Sequence, residues 1–226
     1  MLKKIILLIC FLFASVSFLF ALDEGSFILY PEVGLGVSGG FATVWNPEGA
    51  SRFLGSNTTL FKKPQMEPGL SWSIGCGADY AFTDWLGITS GLFIDKTAYR
   101  ALYKKTGTGK NDLEIDIDFI YLTIPVGLHF YRDIFMIGGG FYFGAPLFCS
   151  SSVKFDATKE TNLNSRATIG LFIDAGLNFY RTDANNLMVF LRFKNDLTYA
   201  YKEDDIVTNI KTFSLNLTAA YGFKIN

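Results

Sequence analysis

The chain of 226 residues carries one histidine and three cysteines, and only 18% of its residues are charged, for a formal net charge of −1. Each scarcity excludes something. A near-neutral chain offers no basic field for a phosphate backbone, so nucleic acid is not an expected partner. One histidine, His129, and two separated cysteines beyond the N-terminus lack the ligand spacing of a metal centre, so no metal and no cofactor is expected. The lone imidazole also leaves general-base catalysis almost no candidates. Cys76 and Cys149 fall on stretches that a meander keeps apart, so no disulfide is expected. After the N-terminus no continuous apolar run occurs, which excludes crossing a membrane by helices.

The N-terminus reads as a secretory leader: Lys3 and Lys4 begin it, Ile5 to Phe20 form the apolar region, and Ala21 supplies a small residue at the cut. This divides the chain into a signal peptide, residues 1–21, and one domain, residues 22–226. Cys10 sits too close to the lysines, after Ile9, to be a lipoprotein cysteine.

What the domain does have is alternation with a period of two. In the last stretch Phe213, Leu215, Leu217, Ala219, Tyr221 and Phe223 share one face, and Ser214, Asn216, Thr218, Ala220, Gly222 and Lys224 the other. Successive side chains of a strand point to opposite faces. Seven earlier stretches repeat the pattern, at about Phe27–Phe41, Gly69–Phe82, Trp85–Thr97, Glu114–Tyr131, Ile134–Phe148, Ser165–Tyr180 and Leu187–Tyr201. Long polar connections (Ala42–Pro68, Ala98–Leu113, Cys149–Asn164, Lys202–Asn209) alternate with tight turns at Thr83-Asp84, Arg132-Asp133 and Arg181–Asn186.

Eight such strands with one loopy rim and one tight rim predict an all-β fold, an eight-stranded antiparallel up-and-down transmembrane β-barrel, lipid outside and a polar lumen within. A soluble barrel with its apolar face inward alternates equally well. The opposite face decides for lipid: it is crowded with glycine rather than Lys, Glu and Thr, which suits a packed narrow lumen. Tyr80, Trp85, Phe130, Tyr131, Phe135, Phe179, Tyr180, Tyr221 and Phe223 gather beside the tight turns as an aromatic girdle at the periplasmic interface. The fourth strand changes parity, with Ile115, Ile117 and Phe119 on odd positions and Leu122, Ile124, Val126 and Leu128 on even ones. A one-residue slip exchanges the faces, so a bulge is expected near Phe119–Tyr121, unless Glu114–Asp118 lies beyond the bilayer.

The segment Tyr121-Leu122-Thr123-Ile124-Pro125-Val126-Gly127 resembles the Leu-x-Ile-Pro strand of small outer-membrane barrels of the OmpX and PorT type. The resemblance implies residence in the bacterial outer membrane, contact with its lipid, and assembly by the barrel-assembly machinery. The chain departs from the usual aromatic-terminated assembly signal by ending on Asn226. The His-x-Ser signature of outer-membrane lipid A deacylases is also missing, since Tyr131 follows His129 at the serine position.

The inward polar residues Glu32, Asp79, Asp95, Asp174 and Asp196 are expected to oppose Arg192, Lys194 and Lys224 as a lumen network, because buried charges need partners. Glu32 and Lys224, on the first and last strands, are expected to pair. Arg52, Lys62, Lys63, Arg100, Lys104, Lys105 and Lys110 make the first two connections basic, a candidate surface for an anionic ligand. Glu203, Asp204 and Asp205 make the fourth acidic. Glu114, Asp116 and Asp118 on one side of a strand are weak cation ligands at most. The expected function is non-enzymatic, structural or surface-interacting through four long loops. A narrow channel for small or apolar molecules is the alternative, and a lipid-modifying enzyme stands behind both.

Overall fold

A computed structural model of the chain describes residues 25–45, 65–103, 113–154, 158–162, 165–181, 185–200 and 207–225. The leader, most of the basic and acidic loop residues, and Asn226 lie outside them. Among the described residues nine strands are present: β1 (Phe27–Trp45), β2 (Gln65–Ala81), β3 (Leu86–Tyr103), β4 (Leu113–Arg132), β5 (Phe135–Lys154), β6 (Thr158–Asn162), β7 (Thr168–Arg181), β8 (Asn185–Asp196) and β9 (Val207–Ile225). Eight of them, all but β6, pair antiparallel with their neighbours, and β1 pairs with β9 to close the ring. Closure pairs these eight strands around the ring, which a hydrocarbon environment requires. The five-residue β6 is a correction to the polar third connection. It pairs only with the far end of β5, from Ser150↔Asn162 to Lys154↔Thr158.

The second long connection is shorter than the sequence suggests. Residues 98–103 continue β3, paired to β4 as far as Tyr103↔Leu113. A change of face hid this extension: Leu92 and Ile94 point outward, whereas Tyr99 and Ala101 are buried in the interior. Conversely, β8 ends at Asp196 rather than Tyr201. At the tight rim Asp133 adopts φ 52°, a left-handed conformation that Asp tolerates better than most residues, and this lets β4 reverse directly into β5. The Thr83 hydroxyl accepts the Leu86 amide (3.1 Å) and pins the β2–β3 turn.

The parity change in β4 has a different cause from the expected slip. β4 keeps one inward face throughout: Ile115, Ile117, Phe119, Tyr121, Thr123, His129 and Tyr131 are all buried. The bulge belongs to its partner β5, where Ile120↔Phe148 is followed by Tyr121↔Pro146, leaving Leu147 unopposed. Ile115, Ile117 and Phe119 therefore face an apolar interior at the extracellular end, not lipid. Pro125 is accommodated by the β3 ladder, which skips Gly91 and Leu92 opposite it, while the Ser90 hydroxyl donates to the Pro125 carbonyl (2.9 Å). A residue without an N–H fits where no ladder bond is needed.

Candidate functional site

The outer wall is apolar and exposed: Leu35 is 65% accessible, Phe141 60% and Leu217 58%. The interior holds the ions: Asp174 is 0% accessible, Glu32 1% and Arg192 2%. A water-soluble barrel reverses this order. The arrangement is that of a wall solvated by lipid. At the tight rim Trp85 stacks on Phe130, and Tyr80–Phe82 and Tyr221–Phe223 meet edge to face, forming the expected girdle on the outer surface. Tyr131 is not part of it. Odd positions of β4 point inward, so its ring is buried in the lumen.

The lumen is layered. Ile28, Tyr30, Ala81, Tyr131, Met136, Met188, Phe190 and Ala220 form an apolar floor at the periplasmic end. Above it stands a continuous ionic chain. Tyr30 and Tyr131 hydroxyls donate to Asp79, and His129 Nδ1 lies 2.8 Å from Asp79 Oδ2. His129 Nε2 lies 3.2 Å from Asp174 Oδ2. Asp174 also receives Nε and Nη2 of Arg192, both at 2.8 Å, in a bidentate fork. The remaining guanidinium arm, Nη1, donates to Glu32 Oε1 at 2.5 Å. Phe190, Phe93 and Phe172 surround that guanidinium with ring centres 5.0, 5.4 and 5.7 Å away. Aromatic faces of this kind stabilise a desolvated cation.

One level up, Lys194 donates to Asp95 Oδ2 at 2.6 Å. Among the described residues no cation pairs with Asp196; it accepts Tyr142 OH (2.5 Å) on one oxygen and the Thr212 amide (3.0 Å) and hydroxyl (2.6 Å) on the other. The Ser71 hydroxyl donates to Asn216 on the same side of the lumen. Further toward the extracellular end the interior turns apolar again, with Tyr99, Ala101, Ile115, Ile117, Phe119, Cys149 and Ile210 buried. Cys76 lies on the exposed face and Cys149 inside, both as free thiols.

Seven of the eight expected network residues thus sit in the lumen. The expected pairing of the eighth, Lys224, with Glu32 is corrected by the register. β1 and β9 set Lys224 against Ile28 and Glu32 against Ala220, four residues further up. Arg192 takes Glu32 instead. The sequence reading missed His129, Tyr30, Tyr131 and Tyr142 as members. One signal was available: each large inward residue needs a small neighbour. A Cβ on Gly77 would lie 2.1 Å from the Tyr30 ring, and one on Gly170 2.3 Å from that of Tyr142.

Asp116 and Asp118 are not cation ligands. On the outer face above the apolar belt, Asp116 accepts Arg100 Nε (2.6 Å) and Asp118 lies 3.0 Å from Lys96, across β3 and β4. The Asp116 carboxylate raises the Arg100 pKa above its ordinary value, through their hydrogen bond and mutual charge. Exposed pairs like these contribute little to stability, about 0–1 kcal/mol.

No family model and no curated protein matches the chain. Among solved structures, it is similar to the attachment invasion locus protein Ail of Yersinia pestis, at 17% identity over 88% of this chain and 99% of that one, with a TM-score of 0.40. It is similar to Neisserial surface protein A, at 16% identity over 89% and 100%, TM-score 0.40. It is also similar to the outer membrane protein OprG of Pseudomonas aeruginosa, at 13% identity over 91% and 98%, TM-score 0.44. These likenesses concern fold alone. With eight antiparallel strands closed on themselves, an apolar wall outside and ion pairs within, the chain has the fold of a small membrane-spanning β-barrel.

Proposed function

We propose that this barrel is a non-enzymatic protein, structural or surface-interacting, whose lumen is plugged and whose partners are met at the extracellular rim. The observation that carries the reading is the Arg192 junction. Its guanidinium spans from Glu32 on β1 to Asp174 on β7, with the apolar floor beneath and the Phe119 layer above. Eight strands leave an interior that side chains just fill. A solute crossing it would have to part buried ion pairs, and stripping one partner from such a pair costs about 3–5 kcal/mol.

Catalysis finds little support here. His129 is 1% exposed, and its ring nitrogens face Asp79 and Asp174 rather than a Ser or Thr hydroxyl. A general base must reach the proton it takes. The basic residues Arg52, Lys62, Lys63, Lys104, Lys105 and Lys110 supply the chemistry for an anionic surface ligand.

The test is conductance. The full chain, refolded and inserted in planar lipid bilayers, is expected to stay silent while retaining the heat-dependent gel mobility of a folded barrel. Steady single-channel openings from the folded protein would refute the plug and favour the narrow channel.

A further inference from the structure

Among the described residues, three of the buried polar atoms without a hydrogen-bond partner belong to residues lining one cavity in the upper lumen. They are Asp95 Oδ1, Thr97 Oγ1 and Tyr121 OH. Asp95 and Tyr121 are direct cross-strand partners on β3 and β4, both facing inward, yet their polar ends do not meet. The neighbouring Tyr142 shows that a tyrosine here can bond a carboxylate directly, since it donates to Asp196. Tyr121 is held off. Its ring stacks on Phe119 with centres 5.9 Å apart, and the β5 bulge at Leu147 lies beside it.

The cavity between these groups measures ≈ 20 Å³. A buried water needs roughly 10–15 Å³ on this measure and two to four polar partners. The volume suffices, and three polar groups without partners belong to its lining. An unsatisfied buried polar group is costly, and three on residues lining one space share a single remedy. We propose that this cavity is a binding site for one ordered water. It donates its two hydrogens to Asp95 Oδ1 and Thr97 Oγ1 and accepts the Tyr121 hydroxyl.

A metal cation fits less well. The Lys194 ammonium already lies 2.6 Å from Asp95 Oδ2 and would repel a second positive charge. Both oxygens of Asp196 are taken by Tyr142 and Thr212. Among the described residues no three His, Cys, Asp or Glu side chains gather as metal ligands. With the water in place, the Asp95 carboxylate is satisfied on both oxygens and Tyr121 is tied to β3. The site stands whether or not the barrel conducts.

The refolded full chain tests this in two ways. A high-resolution crystal structure is expected to show a single density peak within hydrogen-bond distance of the three oxygens. Oxygen-17 magnetic relaxation dispersion counts long-lived internal waters, and Tyr121→Phe should lower that count by one while gel mobility stays that of a folded barrel. Direct bonding of Tyr121 to Asp95 or Asp196 with no peak overturns the proposal. So does a peak with five or more oxygen ligands that rubidium replaces with an anomalous signal. Should Tyr121→Phe fail to fold, Thr97→Val provides the same count, and the wild-type density decides by itself.

Discussion

Replacing Arg192 by methionine tests what holds the lumen together. The substitution keeps the chain length of the stem but removes a guanidinium that is 2% exposed and makes three charge-assisted hydrogen bonds, one to Glu32 and two to Asp174. It also strips the cation from three phenylalanine faces. Breaking a buried pair from one side costs about 3–5 kcal/mol, because the abandoned charge stays desolvated. Here two carboxylates are abandoned at once, with only His129 left beside Asp174, so the upper end, about 5 kcal/mol, is expected.

The companion variant separates Coulomb loss from packing. Glu32→Leu alone leaves the bidentate Arg192–Asp174 pair intact and should cost much less. The double variant Glu32→Leu/Arg192→Met leaves His129 to face Asp174 and removes the second stranded carboxylate. It should therefore be at least about 2 kcal/mol more stable than the two single effects added together, since residues in one network couple by 0.5–3 kcal/mol. Urea unfolding from lipid vesicles, followed by tryptophan fluorescence, measures all three. A cost below about 1 kcal/mol for Arg192→Met, or strict additivity in the double variant, would refute the ionic account of the core.

Other expectations follow from the wall. Leu217, 58% exposed in mid-belt, faces lipid, so Leu217→Arg should lower stability by about 2–4 kcal/mol, whereas Phe223→Arg near the periplasmic interface should cost about 0–1. Equal effects at the two depths in vesicle unfolding would contradict the placement of the belt. Gly77 lies against the Tyr30 ring, where an added Cβ would come within 2.1 Å of it. Gly77→Ala should destabilise by about 1–3 kcal/mol through overpacking, read as a lower urea midpoint, and an unchanged midpoint would show that the ring moves freely.

Much of the fold was readable because lipid imposes a rule that acts residue by residue. Every outward position along a spanning strand meets the same solvent, so alternation in β9 or β7 announces the face directly. The rule lapses where the solvent changes. Residues 98–103 of β3 looked like a loop because beyond the belt the apolar residues, Tyr99 and Ala101, move to the inward face and the outward alternation stops. Ile115, Ile117 and Phe119 looked lipid-facing because hydrophobicity cannot distinguish a bilayer from an apolar interior. The bulge beside them sits on β5, whose own sequence shows only the Pro146-Leu147-Phe148 run.

The site was readable as a list and not as a network. Alternation alone placed Glu32, Asp79, Asp95, Asp174, Arg192, Lys194 and Asp196 inside a barrel, because a polar side chain on the face opposite lipid has nowhere else to go. Who bonds whom depends on strand stagger, closure and the width of the lumen, and these are properties of the assembled ring. The offset between β1 and β9 moved Lys224 down to Ile28 and gave Glu32 to Arg192, 160 residues away in the chain. The same closure slid His129 between Asp79 and Asp174, a contact that no local pattern encodes because its three members come from β2, β4 and β7.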